Sequence, residues 1–176
     1  MLFTPTELKD AYVIDLKKFE DKRGFFAHAF SHAEFEQQGL NPNVVDINFS
    51  YNRLRGTLRG MHFQRDPYAQ VKTVRCVRGA IYDVIIDLRP ESPTFKRWVG
   101  VELTADNHRA LYVPEGFAHG FQTLEDNSDV MYLVSQVYAP SAEGGVRYDD
   151  AAFGITWPLP IEMMNDRDLA WPAFAE

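Results

Sequence analysis

Apolar and polar positions alternate in short runs along most of this chain, with a period near two. Ten segments read as β-strands: Ala11–Leu16, Gly24–Phe30, Val44–Phe49, Leu58–Gln64, Val71–Val77, Ala80–Leu88, Trp98–Leu103, Arg109–Val113, Ala118–Leu124 and Asp129–Tyr138. Turn chemistry separates most of them, at Asp21-Lys22-Arg23-Gly24, Arg78-Gly79, Pro114-Glu115-Gly116 and Glu125-Asp126-Asn127. Many short strands at this spacing predict an all-β sandwich or barrel, and the expected architecture is an antiparallel jelly-roll barrel with a few short helices. One helix is predicted early. Ser31 and Glu34 stand at capping-box spacing, and Gly39 supplies the stop. The tail from Ser141 is richer in Gly, Pro and Asp and predicts turns and short helices. No repeat, low-complexity tract or linker divides the chain, so residues 1–176 are expected to form a single domain.

Facing follows from parity. If Arg78-Gly79 is a two-residue hairpin turn, Val77 pairs with Ala80, Val74 lies opposite Asp83 and Lys72 opposite Ile85. Lys72, Val74, Cys76, Ile81, Asp83, Ile85 and Asp87 then share one face. The stretch from Gly56 to Gln64, followed by Val71-Lys72-Thr73-Val74-Arg75, is the most unusual part of the pattern. It places Arg59, His62 and Lys72 in segments that otherwise read as strand. Such groups cost free energy when buried without partners, so they reach solvent or face a site built to use them.

Apolar residues make up 45% of the chain and aromatics 14%, which excludes a disordered protein. A formal charge of −7 argues against a nucleic-acid binder that works by bulk charge. It leaves room for an anionic small ligand, because a few clustered cations set the local field. Cys76 is the single cysteine, so no internal disulfide and no cysteine-based metal site is expected. No apolar run reaches membrane-spanning length and no basic-then-apolar leader opens the chain; a cytoplasmic protein without membrane or nucleic-acid partners is the expectation.

Several motifs taken together resemble the dTDP-4-dehydrorhamnose 3,5-epimerases, a branch of the cupin jelly rolls that works without metal. They are Asp21-x-Arg23-Gly24-x-Phe26, the segment from Gly56 to Gln64, Lys72, Arg78-Gly79-Ala80-Ile81-Tyr82-Asp83-Val84, Ser92-Pro93-Thr94-Phe95, the run from Pro114 to Phe121, and Tyr138-Ala139-Pro140. The resemblance spans roughly Val13 to Pro158. It implies an enzyme that inverts carbon 3, carbon 5 or both in a nucleotide-linked 4-keto-6-deoxy sugar. It also implies no cofactor, and a homodimer with exchanged N-terminal strands.

A C–H beside a ketone is a weak acid, so such an enzyme must supply a base, a stabiliser for the enolate oxygen and an acid on the opposite face. The resemblance gives His62 as base and Lys72 as the charge beside the enolate. Tyr132 matches the acid, and Tyr138 a second site tyrosine six positions on, on the same face if one strand carries both. Asp168, in Asn165-Asp166-Arg167-Asp168, is the expected partner of His62, with Asp166 and Asp83 as rivals. Arg23, Arg59 and His119 are expected to hold pyrophosphate or sugar, Phe26 to stack, and Asn48 to contact the nucleotide. Arg59 and His62 differ by three, which sets them on opposite faces of a regular strand unless Gly60 marks a bulge. His28 stands where the family usually carries glutamate, and Asp46 where it often carries glutamine.

Three other readings compete. A metal-dependent cupin would use Pro114-x-Gly116-x-x-His119, but His62 lacks the usual paired histidine. A non-catalytic sugar-binding cupin would bind without proton exchange. A carbon-3-only epimerase or a 3,4-ketoisomerase would use the same apparatus on a different bond.

Overall fold

The computed structural model describes residues 1–175. Its strands are β1 (Leu2–Pro5), β2 (Tyr12–Asp15), β3 (Phe19–Asp21), β4 (Gly24–Phe26), β5 (Asp46–Asn52), β6 (Leu58–Gln64) and β7 (Lys72–Arg78). They continue with β8 (Ala80–Asp87), β9 (Trp98–Thr104), β10 (Ala110–Val113), β11 (Phe117–Thr123), β12 (Ser128–Val134) and β13 (Glu143–Gly145). Two short helices, α1 (His32–Gln37) and α2 (Asp166–Leu169), and a 3-10 turn over Pro140–Ala142 complete the set. One sheet runs β1-β2-β10-β7-β12-β5 and the other β13-β6-β11-β8-β9, while β3 and β4 pair as a separate ribbon. All of these pairings are antiparallel. This is the expected jelly roll.

The core lies between the sheets, where Val74, Cys76, Ile81, Ile85, Leu111, Phe117, Phe121 and Val130 pack together. Residues of opposite parity on the same strands are covered from outside. Val84, Ile86 and Ala118 meet Val146 and Phe153 of the later chain. Val71, Ala110 and Tyr112 meet Phe35 of α1. Coverage on both faces explains why β8 reads as a nearly continuous apolar run. The Ser31 hydroxyl accepts from the Glu34 amide and caps α1, and Gly39 ends it at φ +75°. Glu34 does not close the box; its carboxylate takes the N-terminal amine of Met1 and the His28 ring.

Some expectations are corrected. Arg78-Gly79 does not make a hairpin, because β7 pairs with β10 and β12 while β8 pairs with β11 and β9. The turn instead carries the chain from one sheet to the other. It is wedged against Ser128, whose Oγ would lie 2.5 Å from a Cβ at Gly79. The predicted shared face survives, since it depends on strand parity and not on that pairing. Strand β12 ends at Val134, so Tyr138 stands on a following loop and not on one strand with Tyr132. The segment Gly24–Phe30 is strand only to Phe26, paired with β3, an element the sequence pattern did not reveal.

Phe35 is buried and packs edge-on or tilted against Phe3, Phe30 and Tyr112, outside the space between the sheets. Phe35→Ala is expected to lower the unfolding free energy by about 3–5 kcal/mol, read by denaturant titration, with activity per folded molecule retained.

Candidate active site

A cavity of about 590 Å³ lies between the sheets, lined by β5, β6, β7, β11, β12, the loop around Tyr138 and α2. Its geometry begins with two glycines. On β6 the step from Arg59 to His62 is three residues, while their partners on β11, Phe121 and His119, are two apart. The extra residue on β6 is a bulge. Gly60 sits there at φ +130°, and a Cβ on it would lie 2.6 Å from the Gly120 Cα. The bulge resolves the spacing conflict, and Arg59 and His62 both line the cavity.

The His62 Nε2 lies 2.7 Å from Asp168 Oδ1, and the Gly60 amide donates to Oδ2 at 3.1 Å. Neither Asp166 nor Asp83 takes that place. Asn165 caps α2 by accepting from the Asp168 amide at 2.7 Å, which fixes the carboxylate's position. Asp168 is buried and His62 partly exposed. Burial works against ionising Asp168. The hydrogen bond and charge of His62, the Gly60 amide and Arg167 outweigh it and hold the carboxyl below its ordinary range.

A second such pair lies on the same wall. His119 Nε2 is 2.8 Å from Asp83 Oδ1, both buried. Burial lowers the His119 pKa, Asp83 raises it, and nearby Lys72 and His62 lower it further. Asp83 Oδ2 has no hydrogen-bond partner among the described residues. The Lys72 ammonium feels the negative charges of Asp83 and Glu143. Burial pulls the Lys72 ammonium down from 10.5 to about 8, with both carboxylates resisting. Tyr132 stands on β12, in the sheet facing His62, between Asn48 and Val74. Burial raises its pKa while Arg59 lowers it, and the phenol stays protonated at neutral pH. At the rim Glu143 Oε2 accepts from the Tyr138 hydroxyl at 2.9 Å and from Arg167 at 3.0 Å. Arg59 is held by Asn52 Oδ1 at 2.7 Å.

The chain matches the dTDP-4-dehydrorhamnose 3,5-epimerase profile over residues 5–176. The chain belongs to that family. A curated relative from Salmonella typhimurium, a dTDP-4-dehydrorhamnose 3,5-epimerase, is 42% identical over 98% of this chain and 94% of its own. A solved epimerase of the same description from Bacillus anthracis, with TDP and pyrophosphate bound, superposes with a TM-score of 0.94 at 43% identity. It covers 98% of this chain and 99% of that one. A 3'-monoepimerase from Streptomyces bikiniensis, in complex with dTDP-quinovose, has a TM-score of 0.88 at 36% identity, covering 96% and 86%.

In this epimerase chain the predicted residues fall into two groups. His62, Lys72, Tyr132, Asp168, Asn48, Arg59, His119 and Tyr138 meet in the cavity. Arg23 and Phe26 do not: they lie on the β3–β4 ribbon, the Arg23 side chain 87% exposed and bonded to Asp21, with Phe26 65% exposed. Asp46 lines the cavity, whereas His28 is bonded to Glu34. Sequence reading missed the His119–Asp83 pairing and the rim pair Glu143–Arg167. The buried parity of Asp83 was a signal for the first. The second comes from loops with no periodic pattern. Among the described residues no group of three His, Cys, Asp or Glu side chains is placed to hold a metal ion.

The Lys72 shift has a definite sign. Its folded pKa is below the unfolded one, so the unfolded chain binds more protons between about pH 8 and 10.5. A penalty of about 3 kcal/mol, present below that window, fades as pH rises through it. In an NMR titration of the Lys72 Cε–Nζ group, the proton is expected to leave near pH 8. Asp83→Asn should move that point lower still. A midpoint above pH 10 would show that the ammonium is solvated.

Proposed function

We propose that this epimerase removes and returns protons beside the ketone of a dTDP-linked 4-keto-6-deoxy sugar, with His62 as base, Lys72 beside the enolate oxygen and Tyr132 as acid. The carrying observation is the placement of His62 and Tyr132 on facing sheets of one cavity, with Lys72 buried at about pKa 8 near its floor charges. The ionised Asp168 fixes the imidazole hydrogen on Nε2, leaving Nδ1 with the lone pair. That nitrogen takes the proton from carbon, and the C–H electrons move onto the ketone oxygen as an enolate. Lys72 stabilises this charge from a buried position, where a fixed cation is worth more than in water. The Tyr132 O–H then gives its proton to the other face of the same carbon and the ketone re-forms. Solvent afterwards reprotonates the phenolate and takes the proton from His62. Arg59, His119, Asn48 and Tyr138 support a reading in which they hold the sugar and diphosphate. The whole chain acts as one domain in this reading.

His62→Ala is expected to lose solvent-deuterium incorporation by about 10³-fold or more, while Tyr132→Phe slows inversion more than exchange. NMR of the product assigns label to carbon 3, carbon 5 or both, which separates a 3,5-epimerase from a carbon-3 enzyme. Normal exchange in His62→Ala would mean that another base acts.

We further propose a homodimer in which the β3–β4 ribbon of one protomer reaches the cavity of its partner. Support comes from the ribbon's exposed Phe19, Phe25 and Phe26, its separation from its own cavity, and the exposed apolar Ile47 and Phe49 on edge strand β5 with Val45 just before it. In mixed dimers of Arg23→Ala and His62→Ala protomers, one cavity would regain both groups. Co-refolding equal amounts of the two impaired variants, half of whose dimers are then mixed, should therefore restore activity toward about a quarter of the parent value, and the isolated mixed dimer toward about half. No restoration would place Arg23 in service of its own chain. A cytoplasmic location fits a doubly charged nucleotide sugar, which does not cross a bilayer unaided, and the lone thiol of Cys76.

A further inference from the structure

The base His62 has a neighbour that lies outside the cavity. Trp171 follows α2 by two residues and stands three after Asp168. Its indole meets the His62 imidazole edge-on, with ring centroids 6.2 Å apart and an interplanar angle of 68°. It is absent from the cavity wall. The ring occupies a slot on the sheet made by Gly145. That residue is the ladder partner of His62 on β13. A Cβ there would fall 2.2 Å from the Trp171 Cε2 and 2.5 Å from its Nε1. The indole N–H is buried with no hydrogen-bond partner among the described residues. Shape therefore holds the ring in place, with no bond of the kind that usually anchors a buried tryptophan.

We propose that Trp171 is a positioning residue for His62. On the reading of His62 as base, α2 and the residue after it grip the imidazole at two points. Asp168 fixes which nitrogen carries the hydrogen. Trp171 fills the space beside the ring, so that the imidazole cannot swing over Gly145 and carry Nδ1 away from the substrate. A hydrogen bond alone leaves the ring free to pivot about the Nε2–Oδ1 line. The indole removes that freedom. Gly145 is the complementary half of the device, since any side chain there displaces the indole.

The test is steady-state epimerisation and deuterium exchange by Trp171→Ala, Trp171→Phe, Gly145→Ala and the double variant, with His62→Ala as control. Trp171→Ala is expected to lower kcat about 10- to 100-fold with KM within about twofold, as for other small misplacements of a reacting group. Trp171→Phe should recover to within about threefold of the parent, because the lost N–H had no partner. Gly145→Ala should be as damaging as Trp171→Ala in the parent, and nearly neutral once Trp171→Ala has emptied the slot. The ¹⁵N shifts of His62 should report the same Nε2–H tautomer in both proteins, because Asp168 remains, while the ring signals broaden by exchange between orientations in Trp171→Ala. If Trp171→Ala does not fold, Trp171→Leu and Trp171→Phe carry the same comparison. A parent-like kcat in Trp171→Ala or Trp171→Leu overturns the proposal, as does a rise in KM alone. So does a Gly145→Ala penalty that is equal in both backgrounds. If His62→Ala itself keeps full exchange, the reading of the base has failed instead.

Discussion

The contact between Gly60 and Gly120 is the constraint on which the cavity depends. Each glycine closes off space that a Cβ would need: one at Gly60 would lie 2.6 Å from the Gly120 Cα, and one at Gly120 would lie 2.6 Å from the Arg59 carbonyl oxygen. Only where both side chains are missing do β6 and β11 approach this closely. The closeness does three things at once. It inserts the extra residue that turns Arg59 and His62 to the same wall. It sets His62 and His119 side by side as ladder partners. It also aims the Gly60 amide at Asp168 Oδ2. A bulge thus seats both the His62 imidazole and the carboxylate bonded to it.

Around that deformity the charges are arranged in opposed sets. Two His–Asp pairs, His62–Asp168 and His119–Asp83, lie on the five-stranded sheet and the helix that follows it, while Lys72 reaches in from the other sheet. A buried ammonium is costly, and burial alone would push Lys72 toward neutrality. Asp83 and Glu143 hold it near 8, so it remains mostly charged at neutral pH without being locked into one ion pair. Asp83 divides its attention: Oδ1 is taken by His119, and Oδ2 is left to the field of Lys72. A fully satisfied salt bridge would spend the lysine's charge before substrate arrived. The looser arrangement leaves the charge available to an anionic group entering the cavity.

Much of this was legible in the sequence, and the exceptions share a cause. Strand β6 was placed from Leu58 to Gln64 by its turns and alternation, and the face shared by Lys72, Val74, Ile81 and Asp83 by parity. The conflict between Arg59 and His62 pointed to a bulge at Gly60 before any contact was known. Local pattern cannot reveal partners. It fixed neither the sheet that β8 joins nor the carboxylate that His119 meets, since both depend on which distant strand lies alongside. Strands β1, β3 and β13 span three or four residues each, too short for a period to show. Arg23 and Phe26 matched a family motif, yet one chain holds them away from its cavity. A motif carries no information about where in space its residues come to lie.

The tail explains why a short, irregular segment can matter as much as the barrel. Helix α2 has four residues and cannot persist alone. It is held by what surrounds it. Leu58 N–H donates to the Met163 carbonyl at 2.8 Å on its leading side, and the Phe174 amide donates to Asp150 Oδ2 at 2.6 Å beyond it. Phe174 also packs against Phe153, which belongs to the cluster under β8. Between these anchors the tail offers Asp168 and Trp171 to one side of His62. The barrel brings the His62 ring to the cavity wall, and the docked tail bonds it through Asp168 and packs beside it with Trp171. The geometry around His62 is therefore a property of two segments about a hundred residues apart, joined through one ring.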